Sequence, residues 1–187
     1  PLHHYDQVIA DLRRDIAMGV LEYPPLNEPV VWCHKMIIVT KPDGTPRRAV
    51  DMSPLNKFCK REPHIGKNPF QMAHAIPRNV WKSVQDAWNG YHGIPIREED
   101  RHLTTFQTPI GMLRYARAPQ GALCSGDGYN QRFDIILSEF DRVERCVDDA
   151  AYWDEDLEAH WWRTIDFLEI TGLAGVVLNP KKFQCCK

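Results

Sequence analysis

In "YDQVIADLRRDIAMGV" apolar residues stand at positions 5, 8, 9, 12, 16 and 20. That spacing is close to the helical period and predicts an amphipathic helix over 5–20, with Gly19 as a stop. Pro24, Pro25 and Pro29 then interrupt the chain. "VVWCHKMIIVT" is β-rich, and "RRAVDM" returns as a second strand after "KPDGTPRR", with Asp43-Gly44 as the turn. Residues 54–79 are rich in Pro, His and Asn and predict an irregular connection with one helical turn. "VWKSVQD" (80–86) predicts a strand that ends on an acid, and "HLTTFQTPIGMLRYARAP" two strands joined at Pro109 to Gly111.

"SGDGYNQRFDIILSEF" turns helical after its glycines, with Tyr129, Phe133, Ile136, Leu137 and Phe140 on one face. In "RCVDDAAYWD" (145–154) short apolar arms flank two adjacent acids, the pattern of a hairpin with Asp148 and Asp149 at its tip. "DEDLEAHWWRTIDFLEITG" predicts a helix with acids in its first turn and Gly172 near its end. Trp161 and Trp162 are consecutive and cannot face the same way, so one is expected in the core. "GVVLNPKKF" closes as a strand and turn. Local helices mixed with mainly antiparallel pairing make the expected class α+β, a sheet with helices on one face.

The bulk composition changes this picture little. With 187 residues, 43% hydrophobic and 26% charged, the chain suits one sizeable core or two small lobes. No apolar run approaches the ~20 residues of a membrane span, and the first residues lack a signal-peptide pattern. Six cysteines form no CxxC pair, and adjacent Cys185-Cys186 suits no ordinary disulfide framework, so a reducing compartment is expected. Net charge is −2, but its distribution is uneven. From Lys35 to Lys67 eight Lys/Arg face three acids; from Asp134 to Glu158 ten acids face two arginines. A basic lobe suits a polyanion and an acidic pocket suits metal.

Two acids side by side raise each other's pKa, so something should offset them. A solvated turn is the simplest reading of Asp148-Asp149. The alternative is a divalent cation. Asp86 ends a predicted strand 62 positions before Asp148, and if those elements are neighbours in one sheet, three carboxylates converge. Hard oxygen ligands of that kind suit Mg²⁺, and two ions ~3.5–4 Å apart can serve an in-line phosphoryl displacement.

With these residues in order, "VQDAWNGYHGIPIREEDRHLTTFQTPIGMLRYARAPQG", "RCVDDAAYWD" and "GVVLNPKKF" resemble a reverse transcriptase of the retroviral and long-terminal-repeat (LTR) retrotransposon type, nearest the gypsy-like elements. The resemblance runs from about Asn27 to the C-terminus. It implies a polymerase palm with a ferredoxin-like antiparallel sheet, plus a fingers subdomain with a basic β-hairpin. Fingers are expected over 1–79 and palm over 80–187, with fingers elements returning at about 93–118 and with thumb and RNase H absent. Asp86, Asp148 and Asp149 match the family's metal-binding aspartates, for two Mg²⁺ with Mn²⁺ as a substitute. Lys41 and Arg47 match fingers residues that grip a triphosphate. The main chain of Ala87, Trp88, Asn89 and Gly90 lies along that triphosphate in relatives, and Gly90 suits close approach. Tyr91 matches a ring beneath the sugar that excludes a 2′-hydroxyl. Gln120 matches a glutamine contacting nucleotide and template, and Lys182 a lysine proposed to protonate the leaving pyrophosphate.

The implied activity is RNA-directed DNA polymerisation from dNTPs on a template with primer. The parent would supply thumb, RNase H and integrase domains, in an intracellular retroelement particle in cytoplasm or nucleus, with no membrane partner. The chain departs from the family at Cys146, where most relatives have Tyr, at Met52-Ser53, and in "LCSGDGYNQ". Two rival readings follow: a catalytically silent retroelement-derived domain that binds nucleic acid or protein, and an RNA-copying RNA polymerase, against which Tyr91 argues.

Overall fold

A computed structural model of the chain describes residues 4–64, 66–88 and 90–187. Its elements in order are α1 (Tyr5–Ala17), β1 (Leu21–Glu22), β2 (Met36–Thr40), β3 (Pro46–Val50), α2 (Ser53–Asn56), α3 (Pro69–Ala75), β4 (Trp81–Asp86), β5 (Phe106–Thr108), β6 (Gly111–Tyr115), α4 (Leu123–Ile136), β7 (Val143–Cys146), β8 (Asp149–Asp154) and α5 (Leu157–Leu173). Every named strand pair is antiparallel. The chain divides into two units, Pro1–Glu62 with Ile94–Gly126, and Pro63–Gly93 with Asp127–Lys187.

In the first unit the predicted helical stripe becomes α1, whose Val8 and Leu12 are buried with Val20, Leu21, Val50, Met52, Phe106, Leu113 and Tyr115. Three strands pair in the order β1-β6-β5, and β2 and β3 form the expected hairpin. The β-rich run 30–40 narrows to 36–40 because His34 is used otherwise. Its imidazole contacts the Asp51 carbonyl at 3.1 Å and that of Leu103 at 2.8 Å, and its N–H bonds the Thr105 carbonyl. Beneath the surface, buried Arg114 is held by Glu22 at 2.6 Å and Glu28 at 2.7 Å. A buried guanidinium needs such partners.

The second unit is built on a three-stranded sheet in the order β4-β8-β7. Tyr129, Phe133, Leu137, Tyr152 and Phe167 are buried there, and the Tyr152 and Phe167 rings stack at 4.6 Å. Helix α5 packs on β4 and β8 through His160, Thr164, Phe167 and Thr171, positions that share a helical face. That choice corrects the expectation for the tryptophans: neither is core, Trp161 being 53% and Trp162 59% exposed.

Three other expectations are corrected. Residues 54–79 hold two short helices, the second fixed by a reciprocal capping box between Asn68 and Gln71. Helix α4 starts at Leu123 and runs through its glycines, its first N–H taken by the Asn56 side chain at 2.8 Å. Here tertiary contacts override glycine's weak propensity. "GVVLNPKKF" is not a strand; Leu178 makes one isolated bridge to Ala87, and Asn179 turns the chain by accepting the Lys182 N–H.

Candidate active site

The β4–β8 register sets Asp86 opposite Asp149, and β7–β8 pairs Cys146 with Asp149. A two-residue turn of Val147 and Asp148 therefore closes the hairpin. The sequence placed both acids at the tip; in the structure Asp148 is in the turn and Asp149 opens β8. Past the end of β4, the Ala87 N–H donates to the Asp148 carbonyl at 2.8 Å, so Asp86, Asp148 and Asp149 lie at one end of the sheet. Val147 carries a φ of +55°. Short hairpin turns need positive φ but ordinarily use Asn or Gly there, and a β-branched residue in that conformation is strained by about 1–3 kcal/mol.

Arg145 holds this strained tip. Its guanidinium donates to the Val147 carbonyl at 2.6 Å, to the Asn130 side chain at 2.9 Å and carbonyl at 3.0 Å, and to Asp134 at 2.7 Å. It also lies 5.2 Å over the Phe133 ring. The sequence reading counted Arg145 only as charge. Its signal was there, as one of two bases in an acidic stretch.

The electrostatics follow from the convergence. Burial, then Asp86, then Asp149 push the Asp148 carboxyl above its ordinary range. The Lys182 ammonium sits 2.7 Å from Asp86 Oδ2, and that hydrogen bond and charge raise its own pKa. Asn179 adds a donor at 3.4 Å to Asp86 Oδ1 and its N–H at 2.9 Å to the Asp86 carbonyl. Sequence reasoning named Lys182 and missed Asn179. Elsewhere in the acidic stretch three acids are paired: Asp134 with Arg145, Glu144 with Lys67, and Asp154 with Arg142 and Arg163. Among the described residues, Asp148 and Asp149 form no ion pair.

Among the described residues, no three His, Cys, Asp or Glu side chains are gathered in ligating geometry. An ammonium lies on Asp86 instead, answering the negative field of the three acids. The donor set, all carboxylate oxygen with one acid raised by its neighbours, fits a hard divalent cation. Asp86, Asp148 and Asp149 are the residues that could hold it.

The segment after Asp86 is partly committed inside the chain. Ala87 is buried, and the Trp88 N–H donates to the Val177 carbonyl at 2.8 Å. These two N–H groups are thus engaged, while the Trp88 side chain is half exposed. Asn89 lies outside the described residues. Gly90 is pressed against Tyr129: a Cβ there would stand 2.3 Å from Cε2 of that ring. The Tyr91 ring meets Tyr129 edge-on at 5.5 Å. Burial, and then the Asp148 charge, raise the Tyr91 hydroxyl pKa. Tyr129 is the buttress the sequence reading assigned only to a helix face.

On α5, His160 Nε2 lies 2.8 Å from Ser83 Oγ and Nδ1 lies 3.6 Å from Asp154. The order Ser–His–Asp invites a hydrolytic reading. All three are buried, with Ser83 and His160 at 0% exposure, so the array braces β4 from beneath.

The remaining predicted residues belong to the first unit. Lys41 and Arg47 stand on the β2–β3 hairpin, where the Lys41 main chain brackets the turn by bonding Thr45 and Gly44. Arg47 Nη2 donates to Gln120 Oε1 at 3.3 Å, with all three side chains exposed. Two residues predicted to touch one ligand therefore touch each other. Of the eight cations counted from 35 to 67, Arg48 is paired with Asp15 and Lys67 with Glu144.

No protein-family model matches the chain. It is 28% identical over 153 residues, 80% of its length, to the transposon Tf2-3 polyprotein of Schizosaccharomyces pombe. It is also 28% identical over 146 residues, 78% of its length, to the Pro-Pol polyprotein of Simian foamy virus type 1. The chain spans only 11% and 13% of those relatives. Its fold matches a foamy viral protease-reverse transcriptase in complex with RNA/DNA hybrid at a TM-score of 0.89 and 21% identity, over 99% of this chain and 24% of that one. The relatives are thus polyproteins of a retrotransposon and a retrovirus, in line with the resemblance, and the chain shares the mixed α/β fold of the foamy viral protease-reverse transcriptase. Among the described residues no helix is long and apolar enough to cross a membrane.

Proposed function

We propose that the chain is the fingers and most of the palm of an RNA-directed DNA polymerase from a gypsy-like retroelement. The observation that carries this reading is the pairing of Asp86 with Asp149 across β4–β8, with Asp148 in the adjoining turn. Asp86, Asp148 and Asp149 would hold two Mg²⁺, which when bound lower the pKa of a primer 3′-hydroxyl and neutralise the triphosphate.

The chain's own residues do the remaining work. Lys41 and Arg47 bind triphosphate oxygens, and Gln120 orients Arg47 while meeting the base pair. Tyr91, backed by Tyr129, presents a ring where a ribose 2′-hydroxyl would project. Lys182 keeps its proton at Nζ beside Asp86 and delivers it to the departing pyrophosphate. The solved structure of the same fold was captured with RNA/DNA hybrid, which supports a template–primer duplex as partner. Its binding should weaken with salt, because phosphate contacts dominate.

The Lys182–Asp86 pair also favours a second reading, a silent domain that binds duplex with its cation position closed. Primer extension on an RNA template separates the two. Incorporation of dNTPs supports the polymerase, and duplex binding without extension supports the silent domain. Incorporation of ribonucleotides overturns the role of Tyr91.

A further inference from the structure

Cys185 and Cys186 are consecutive, and in a regular strand consecutive side chains point to opposite faces. Their sulfurs nevertheless lie 3.3 Å apart. The reason is in the backbone. Val84 and Gln184 exchange both N–H···O bonds, at 2.8 and 3.0 Å, so the segment after the Asn179 turn runs antiparallel along the edge of β4. An antiparallel ladder repeats its hydrogen-bonded pairs every two residues, which would next match Lys82 with Cys186. Lys82 instead exchanges bonds with Lys187, at 3.1 and 2.9 Å.

One extra residue has been inserted, so Cys185 and Cys186 together oppose Ser83. This is a β-bulge. Cys186 takes a left-handed conformation there, with φ +51°. Its N–H, lost to the ladder, is recovered by Ser83 Oγ at 3.2 Å. The bulge thus turns two side chains that would diverge into a facing pair of thiols. Both are half-buried, open to a small reagent.

We propose that Cys185 and Cys186 form a vicinal dithiol that low-molecular-weight disulfides oxidise reversibly to an internal bridge, a redox-modification site on the edge of the strand that carries Asp86. The thiolate of one cysteine attacks a sulfur of the disulfide RSSR and expels one RS⁻. The second cysteine attacks the mixed disulfide and expels the other. Two protein S–H and one RSSR become one protein S–S and two RSH, so two electrons pass to the reagent and two protons with them. Consecutive Cα atoms are only about 3.8 Å apart, whereas ordinary disulfides span roughly 4.4–6.8 Å. The bridge is therefore strained, and strained bridges are readily reduced. That suits a reversible site and not a structural staple. Burial and the neighbouring sulfur hold the Cys186 thiol above its ordinary pKa, so closure is faster at alkaline pH, where the thiolate forms.

The test uses the whole chain with glutathione disulfide, followed by alkylation of remaining thiols and mass analysis of the peptide Phe183–Lys187. The expected product is that peptide short of two hydrogens, restored by reductant, with Cys33 and Cys124 giving glutathione adducts instead. Closure should be on the order of tenfold faster in the native chain than in denaturant, since the bulge presets the approach of the sulfurs. Cys185→Ser and Cys186→Ser should each yield a stable glutathione adduct. A wild-type peptide carrying only glutathione adducts, or equal closure rates in native and denatured chain, overturns the proposal.

Discussion

The Lys182 ammonium lies 2.7 Å from the Asp86 carboxylate, opposite the carboxylate Asp149 in the sheet register. A protein cation therefore occupies the position at which the three acids call for positive charge, and it competes with any divalent ion for Asp86. Lys182→Met should tighten Mn²⁺ binding, read by calorimetry, because the competitor is gone. The same variant should slow primer extension about 10²-fold or more, the usual cost of losing a general acid. Weaker metal binding in Lys182→Met would count against this competition.

Asp148 has a folded-state pKa above its unfolded value. A carboxyl shifted in that direction stabilises the fold only at low pH, and the contribution is lost as pH rises through the folded pKa. At pH 7 the ionised side chain is therefore a burden on the metal-free chain. Asp148→Asn should raise the melting temperature while abolishing Mn²⁺ binding. A lowered melting temperature would mean that the neighbouring acids do not repel Asp148 as described.

A methyl group at position 90 meets the Tyr129 ring at 2.3 Å, and that ring is buried. Gly90→Ala should cost about 1–3 kcal/mol through overpacking, measured by urea denaturation. Combining it with Tyr129→Ala should recover much of that cost, a coupling expected of residues in contact. Because Tyr129 backs Tyr91, the single variant should also admit more ribonucleotide. Strict additivity of the two substitutions would dissociate Gly90 from the ring.

Burial holds the His160 pKa below its ordinary 6.5, outweighing the opposing pull of Asp154, while Arg163 lowers it further. The unfolded chain takes up a proton that the folded chain refuses, so stability should be full above pH 6.5 and fall as pH drops below it. A single proton limits the slope to about 1.4 kcal/mol per pH unit. Urea midpoints between pH 7.5 and 5.5 should fall more steeply for the wild type than for His160→Asn. Parallel curves would place the titration elsewhere.

Much of the second unit was legible along the chain because its signals are local. A run ending on an acid marked β4, short apolar arms around paired acids marked β7–β8, and first-turn acids with a late glycine marked α5. The order of Asp86, Tyr91, Gln120 and the paired acids carried the resemblance. The errors fell where a local signal met a tertiary competitor. Glycines at 126 and 128 read as a loop, yet Asn56 supplies the N–H acceptor that starts α4 before them. One of Trp161 and Trp162 is expected in the core, yet the face that packs on β4 and β8 is that of His160, Thr164, Phe167 and Thr171.

By itself the sequence determined which residue types are available and where the chain bends, since period, turn chemistry and charge are properties of neighbours along a polymer. Only the tertiary structure decided which acids meet and what answers them. Strand register aligned Asp86 with Asp149, Arg145 braced a strained Val147, Lys182 came round on Asp86, and one inserted residue turned Cys185 to face Cys186. Each of these is a contact between distant segments, whose energy depends on separation in space, and a linear pattern carries no record of that distance.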